Sequence, residues 1–363
     1  MTVPERPAGR YSFAMSLFET LGLRVPIFQS PMAGVSSPAM AAAVSAAGGL
    51  GALGVGAMSA MQARDAIAAT RALHRGPLNI NVFVHRPARA DAEKAREWLA
   101  RLAPEFRRFN AQPPQALREI YTSFLVDDAM LAALVESRPE VVSFHFGLPT
   151  PAQCDALHAA GIVLIASATS LAEARAIESA GLDAIVAQGY EAGGHRGVFD
   201  PDAHDDRLGT MALVRLLVLN VALPVIAAGG IMDGAGIRAA LSLGACAAQL
   251  GTAFIDTEES LANAGYRKRL HSDAAHHTRM TRAISGRPAR CLANAFTRFG
   301  ADVPDDAIPD YPIAYDAGKA LAQIADAAGE FGYGAQWAGQ GAPLARALST
   351  RALMEALIAE LGS

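Results

Sequence analysis

His195 has the most chemically suggestive setting of the nine histidines. It lies in Gln188-Gly-Tyr-Glu-Ala-Gly-Gly-His195-Arg-Gly197, among glycines and directly after the apolar run Ala184–Gln188, which reads as a strand. An imidazole titrates near neutral pH and can exchange a proton or hydrogen-bond an anion. Catalytic groups collect in the loops at the carboxyl ends of barrel strands. A glycine turn with a solvent-facing histidine is the plainer account, but the placement favours a flexible active-site turn with His195 as its working group.

Ser143-Phe-His145-Phe-Gly147 follows another apolar run in the same way. Here two accounts stay open: a hydrogen-bonded core histidine, or a site residue. Alternation puts Asn79, Asn81 and Phe83 on one strand face, so an amide either points into a barrel or ties two layers together. Tyr311, Tyr315 and Lys319 recur every four residues and would share one face of a helix. Such a stripe is either a surface face or a set of hydroxyl donors and one cation for an anionic substrate. Pro309 and Pro312 leave the first turn of that helix in doubt. His271, His276 and His277 lie among charged residues without metal-ligand spacing, so no metal is expected.

A different signal runs from residue 224 to 252. Val225–Ala228 and Ala247–Leu250 are strand-length apolar runs, each ending in glycine, with a helix-length segment between them. Glycine at a strand end lets backbone N–H groups approach a ligand closely. In (β/α)8 barrels a phosphate cradle lies after strands 7 and 8, at the start of a short extra helix. The ligand expected here is a phosphorylated cofactor or substrate.

These groups need a scaffold, and the rest of the chain describes one. Candidate strands are Val25–Gln29, Leu50–Leu53, Leu78–Val84, Val141–Phe144, Ile162–Ser167, Ala184–Gln188, Val225–Ala228 and Ala247–Leu250. Alanine-rich helical segments such as Pro38–Ala47, Leu171–Ala180 and Ala235–Leu243 lie between them. Ser36 or Ser37 before Pro38 marks a helix start, and Gly48 and Gly181 mark helix stops. The fold class is α/β: eight strands with helical crossovers point to a closed (β/α)8 TIM barrel or a large doubly wound sheet. Gly48-Gly-Leu-Gly51 is no dinucleotide fingerprint, because it follows a helix and leads into a strand. Residues 86–117 and 257–339 break the rhythm and show no clear strands. They are expected to pack together as a mainly helical lid or substrate domain, with the barrel formed by 15–85, 118–256 and 340–363.

The chain has 363 residues, 52% hydrophobic and 18% charged, which suits a compact enzyme with much buried sheet. A net charge of −4 gives no reason to expect nucleic acid or an anionic membrane surface as partner. The longest apolar stretch, Leu213 to Met232, is interrupted by Arg215, Asn220 and Pro224 and does not read as a span. The N-terminus carries Arg6 and Arg10 without an export signal's apolar region. Cys154, Cys246 and Cys291 are scattered, as in a reducing cytoplasm.

Taken together, these motifs resemble the nitronate monooxygenase family, in particular its bacterial class I branch. The likeness runs through Pro31-Met-Ala-Gly-Val-Ser-Ser-Pro, Ser143-Phe-His-Phe-Gly-Leu-Pro, Glu191-Ala-Gly-Gly-His and Ala228-Gly-Gly-Ile. It continues through Gln249-Leu-Gly-Thr, Gly286-Arg-Pro-Ala-Arg, the Tyr311/Tyr315/Lys319 spacing and Trp337-Ala-Gly-Gln. The resemblance implies FMN on a (β/α)8 barrel. Its phosphate would rest on Gly229, Gly230, Gln249, Leu250, Gly251 and Thr252, with Gln188, Gly193, Asn81 and the Met32 backbone nearer the ring and ribityl chain. It makes His195 the active-site histidine, which would hydrogen-bond the substrate anion and, as a cation, stabilise it further. His145, Tyr311, Tyr315 and Lys319 would line the substrate pocket.

The activity implied is oxidation of a small anionic alkyl nitronate, such as propionate 3-nitronate, by O2 to nitrite and a carbonyl product. Two rivals share the scaffold: an FMN-dependent NAD(P)H:quinone or enoyl-thioester reductase, and a non-redox isomerase or lyase with a phosphorylated substrate. A homo-oligomer is compatible with all three.

Overall fold

The computed structural model describes residues 17–362; Arg6, Arg10 and the first two residues of the expected barrel lie outside the described residues. Strands β1 (Ile27–Gln29), β2 (Gly51–Gly54), β3 (Leu78–Phe83), β4 (Val141–His145), β5 (Val163–Ala168), β6 (Ala184–Gln188), β8 (Val225–Ala228) and β9 (Ala247–Leu250) form one parallel sheet in the order β1-β9-β8-β6-β5-β4-β3-β2. The sheet closes where Leu50 N–H donates to Ile27 O at 3.1 Å and Gln29 N–H to Leu50 O at 2.9 Å. The eight expected strands are those of this barrel, with ends displaced by at most two residues.

Local chemistry starts the outer helices. Ser37 caps Pro38–Ala46, with Pro38 in the first turn, where its missing N–H costs nothing. Ser59 with Gln62 and Thr150 with Gln153 form reciprocal capping boxes. Gly48 and Gly181 have φ of +96° and +76°, the left-handed geometry that ends a helix. Gly51 serves packing: a Cβ there would stand 2.0 Å from Ala41 O.

Strand periodicity sorts the side chains into two populations. Ile80, Val142, Phe144, Leu164, Ile185, Ala227 and Leu250 face the helices in one large core. Phe28, Leu50, Val141, Ile165, Ala184, Ile226 and Ala247 fill the barrel, closed below by Leu17 and Leu21. Two residues further along the same faces come Ser143, Ser167, Val186, Ala228 and Gln249, then His145 and Gln188, all lining a cavity at the carboxyl ends of the strands. The barrel interior therefore changes from apolar floor to largely polar rim within two pleats.

The insertions also meet. Trp98, Leu102 and Phe106 of the helix Ala92–Arg107 share a core with Ile284, Phe296, Leu321 and Tyr333. One expectation fails here: the segment 257–339 contains β10 (Thr278–Thr281) and β11 (Ala289–Leu292), antiparallel to each other. The strand β7 (Gly194–His195) adds to β11, pairing Ala289 with His195 and Arg290 with Gly194. His195 thus sits in a strand, not a flexible turn. β10 and β11 each carry a charged arginine in place of an apolar run and β7 has only two residues, so these strands are made by tertiary pairing and leave little local signal. No helix among the described residues is long and apolar enough to cross a membrane.

Candidate active site

The cavity between the barrel rim and the inserted segments measures about 590 Å3, the size of a small-molecule or cofactor site. Met32, Asn81, His145, Gln188, Gly193, His195, Gly229, Gly230, Gln249, Gly251, Thr252, Tyr311, Tyr315 and Lys319 all line it. Leu250 does not: β9 alternation sends its fully buried side chain into the helical layer. Any contact from Leu250 must come from its main chain.

At one end lies a main-chain cradle. Gly229 and Gly230 turn with φ of +119° and +73°. The N–H groups of Gly230, Gly251 and Thr252 donate to no protein group among the described residues. The expected short extra helix is a single 3-10 turn, Thr252–Phe254. Thr252 Oγ1 accepts from Gly339 N–H at 3.0 Å, and a Cβ on Gly193 would come 2.4 Å from Gly339 N. The loops carrying Gly193 and Gly339 can meet only as glycines. Unpaired N–H groups converging beside a strand end suit a phosphate.

Several expected cofactor residues are already engaged by the protein. Met32 N–H donates to Ser36 Oγ at 3.0 Å, and Met32 O accepts from Val35 and Ser36. Asn81 Nδ2 donates to Ser143 O and Oγ at 3.0 and 2.9 Å, so this amide both ties β3 to β4 and faces the cavity. Gln188 clamps the loop after β6: its Nε2 donates to His195 O at 2.9 Å and its Oε1 accepts from Gly197 N–H at 2.7 Å.

His145 combines the two accounts given to it. It lines the cavity, but Nε2 lies 3.1 Å from His195 O and Nδ1 lies 3.0 Å from Ser167 Oγ. A carbonyl only accepts, so Nε2 carries the proton and Nδ1 takes the Ser167 hydroxyl hydrogen. His195 Nε2 lies 2.8 Å from Ser285 Oγ. Its ring is walled by Trp337 (5.1 Å between centroids), Tyr311 (5.4 Å), Phe146 (5.5 Å) and Tyr315 (6.0 Å).

Burial sets the charge states. It pushes His145 down to about 4 and His195 well below its usual value, with Arg287 adding repulsion to each. His195 is therefore a neutral imidazole at neutral pH, which corrects the expectation of a cationic histidine. Burial raises Tyr311 and Tyr315 above the usual phenol value, so both remain hydroxyl donors. The Tyr311 hydroxyl is buried without a partner among the described residues. Lys319 lies 5.1 Å from the Tyr121 ring and 5.6 Å from Tyr315, its pKa lowered by burial. Tyr311 stands before the helix Ile313–Ala327, so the stripe is not one helix face, although all three side chains reach the cavity.

The residues that sequence reasoning passed over are Tyr121, Phe146, Ser285 and Arg287. Phe146 lies within Ser143-Phe-His-Phe-Gly-Leu-Pro and Arg287 within Gly286-Arg-Pro-Ala-Arg, but nothing local marks them as neighbours of His195. His271 bonds Asp256 at the periphery, and no group of metal-ligating side chains occurs among the described residues.

The profile of the family described as Nitronate monooxygenase matches residues 15–360. The nitronate monooxygenase of Paraburkholderia phytofirmans is 61% identical over 346 residues, 95% of this chain and 94% of its own length. That of Pseudomonas aeruginosa is 52% identical over 343 residues, 94% and 97% of the two chains. Among solved structures, the nitroalkane oxidase of Streptomyces ansochromogenes is similar with TM-score 0.87 and 39% identity over 96% of this chain and 98% of its own. FabK of Thermotoga maritima is similar with TM-score 0.73 and 29% identity over 96% of each chain.

Proposed function

The chain belongs to the nitronate monooxygenase family, and from that premise we propose that it is an FMN-dependent enzyme oxidising small alkyl nitronates with O2. The carbon–nitrogen bond gives way to a carbonyl, and nitrite departs. Family membership makes the chain an oxidoreductase of nitronates; the flavin, the oxidant and the residue roles are our reading. The observation that carries it is the single cavity in which a free main-chain cradle and a walled histidine face the same space.

FMN, when bound, supplies the electron transfer, and the protein supplies position and charge. The N–H groups of Gly230, Gly251 and Thr252 hold the phosphate end, while Gln249 and the Gly193 and Gly339 backbones flank the rest. A nitronate is already an anion, so no strong base is needed to form it. Neutral His195 donates a hydrogen bond to a nitronate oxygen, and the unpartnered Tyr311 hydroxyl donates a second. His145 and Gln188 hold the His195 carbonyl and so fix the ring. Lys319 and Tyr315 bound the pocket on the lid side. The barrel segments carry the cofactor and the segments 86–117 and 257–339 close over the substrate. All three cysteines are free, and a cytoplasmic location is part of this proposal.

Purified protein should be yellow and should consume oxygen when given propionate 3-nitronate. Colourless protein that cannot be reconstituted with FMN would end this reading. Rapid anaerobic bleaching by NADH, with no nitronate-driven oxygen uptake, would replace it with the reductase.

A further inference from the structure

One layer behind the cavity wall lies a charge that the proposed chemistry leaves unused. Arg287 is 4% exposed, and its guanidinium carbon stands 4.3 Å over the Phe146 ring. Its Nη2 donates to Val198 O, its Nε has no partner, and it joins no ion pair among the described residues. The carboxylates that attract it, Asp200 and Asp202, are engaged elsewhere: Asp202 bonds Arg282 at 2.8 Å and Asp200 pairs with Arg86 at 3.8 Å. Buried charges are ordinarily paired, and an unpaired one is costly.

The platform on which it lies is itself strained. Phe146 has φ +79°, a left-handed conformation that costs a bulky residue about 1–3 kcal/mol and that clusters at functional sites. Its ring centroid lies 4.5 Å from His145, 5.3 Å from Tyr311 and 5.5 Å from His195. The turn carrying Arg287 also holds the histidine: Ser285 Oγ meets His195 Nε2 at 2.8 Å and accepts Arg287 N–H at 3.4 Å. Between them Gly286, with φ +95°, admits the Tyr311 loop; a Cβ there would stand 2.6 Å from both Pro309 O and Tyr311 N.

We propose that Arg287, stacked on Phe146, is a positioning residue that supplies fixed positive charge behind His195 and Tyr311, making the pocket select the nitronate anion over the neutral nitroalkane. The inference rests on the nitronate reading for the identity of that anion. The groups facing His195 are His145 from β4, His85 beyond β3, Tyr311 and Tyr315 from the lid, and Trp337; none is a carboxylate. His85, at about 4, is held neutral by burial and by Arg287. Burial lowers Arg287 only to about 10, so it stays charged where the imidazoles do not. Of the other nearby cations, Lys319 sits over Tyr121 and Tyr315, and Arg196 is paired with Asp205 at 2.8 Å. The substrate is then the counter-ion that the fold lacks.

The test is calorimetric binding to the holoenzyme, with nitrate as a planar oxyanion probe and nitroethane as its neutral counterpart. Arg287→Met should weaken nitrate by about tenfold, as expected for one buried charge across a ring's thickness, and leave nitroethane within about twofold. Arg287→Lys should keep most of the nitrate affinity. Equal losses for both probes would mean a structural role, and unchanged nitrate affinity would mean no role; either overturns the proposal. Should Arg287→Met not fold, the wild type decides. Nitrate affinity should stay nearly flat from pH 8 to 6, because Arg287 remains charged and burial holds the histidines below their usual range. Tightening by tenfold or more through pH 6–7 would assign the charge to an imidazolium instead. Nitrate binding without nitronate turnover would sink the proposed function and leave this inference standing.

Discussion

The neutral histidines have consequences in two measurements. His195→Asn keeps a hydrogen-bonding group but loses the imidazole, and should lower nitronate-driven oxygen uptake by at least about a hundredfold. The visible cofactor spectrum should persist, because the cradle lies on other strands; unchanged uptake would remove His195 from the mechanism. The second measurement is stability against pH. Unfolded, His85 and His145 take up a proton near 6.5; folded, they do so only at about 4. Between those values the unfolded chain binds more protons, so stability is complete above pH 6.5 and falls as pH drops toward 4. The loss is on the order of 3 kcal/mol per histidine. Asp202 and Asp205, whose pKa values are lowered, contribute stability that is fully present above the usual carboxylate range and is lost only in more acidic solution, so the windows separate. Urea midpoints at pH 7.5 and 4.5 check this, and equal midpoints would contradict it.

Among the elements, the deciding contacts are made by turns. Gly286 lets the Ser285–Arg287 turn and the Tyr311 loop touch, and no side chain fits between them. Gly286→Ala meets both a left-handed φ and a backbone clash, so it should cost at least about 1–3 kcal/mol. Because the Tyr311 loop must move and the cradle need not, turnover should suffer more than FMN affinity. Parallel titration of cofactor and assay of oxygen uptake would show it; equal losses would indicate general unfolding. One helix start, in contrast, is legible: Ser37 before Pro38 stands where a cap requires it, and Ser59 and Thr150 start other helices in the same way. The strands β7, β10 and β11 are not, since each is short and exists through its partner.

For the molecule as a whole, two cores matter. The barrel with its helices is one, and the lid, drawn from segments more than a hundred residues apart, is the other. Trp98 is fully buried in the lid core, against Phe299 at 5.9 Å. Trp98→Ala should cost about 3–5 kcal/mol and loosen the lid before the barrel. Thermal denaturation would then lose its lid transition at lower temperature while the barrel's circular dichroism and bound cofactor persist. A single cooperative transition that releases cofactor at the same temperature would show instead that the two cores fold as one.

By itself the sequence determined the eight-fold alternation of strand and helix, the glycine-ended strands and the position of His195 at a strand terminus. Those features are local: two-faced apolar runs, caps and left-handed glycines act over a few residues. Tertiary structure alone decided that His195 belongs to a strand shared with β11, that Leu250 turns away from the cavity, and that Tyr311 arrives from a loop. It also decided the charge of the site. A pKa depends on who is near and how much water is excluded, and Arg287 meets Phe146 and His195 only because chain segments about ninety residues and more apart fold onto one another.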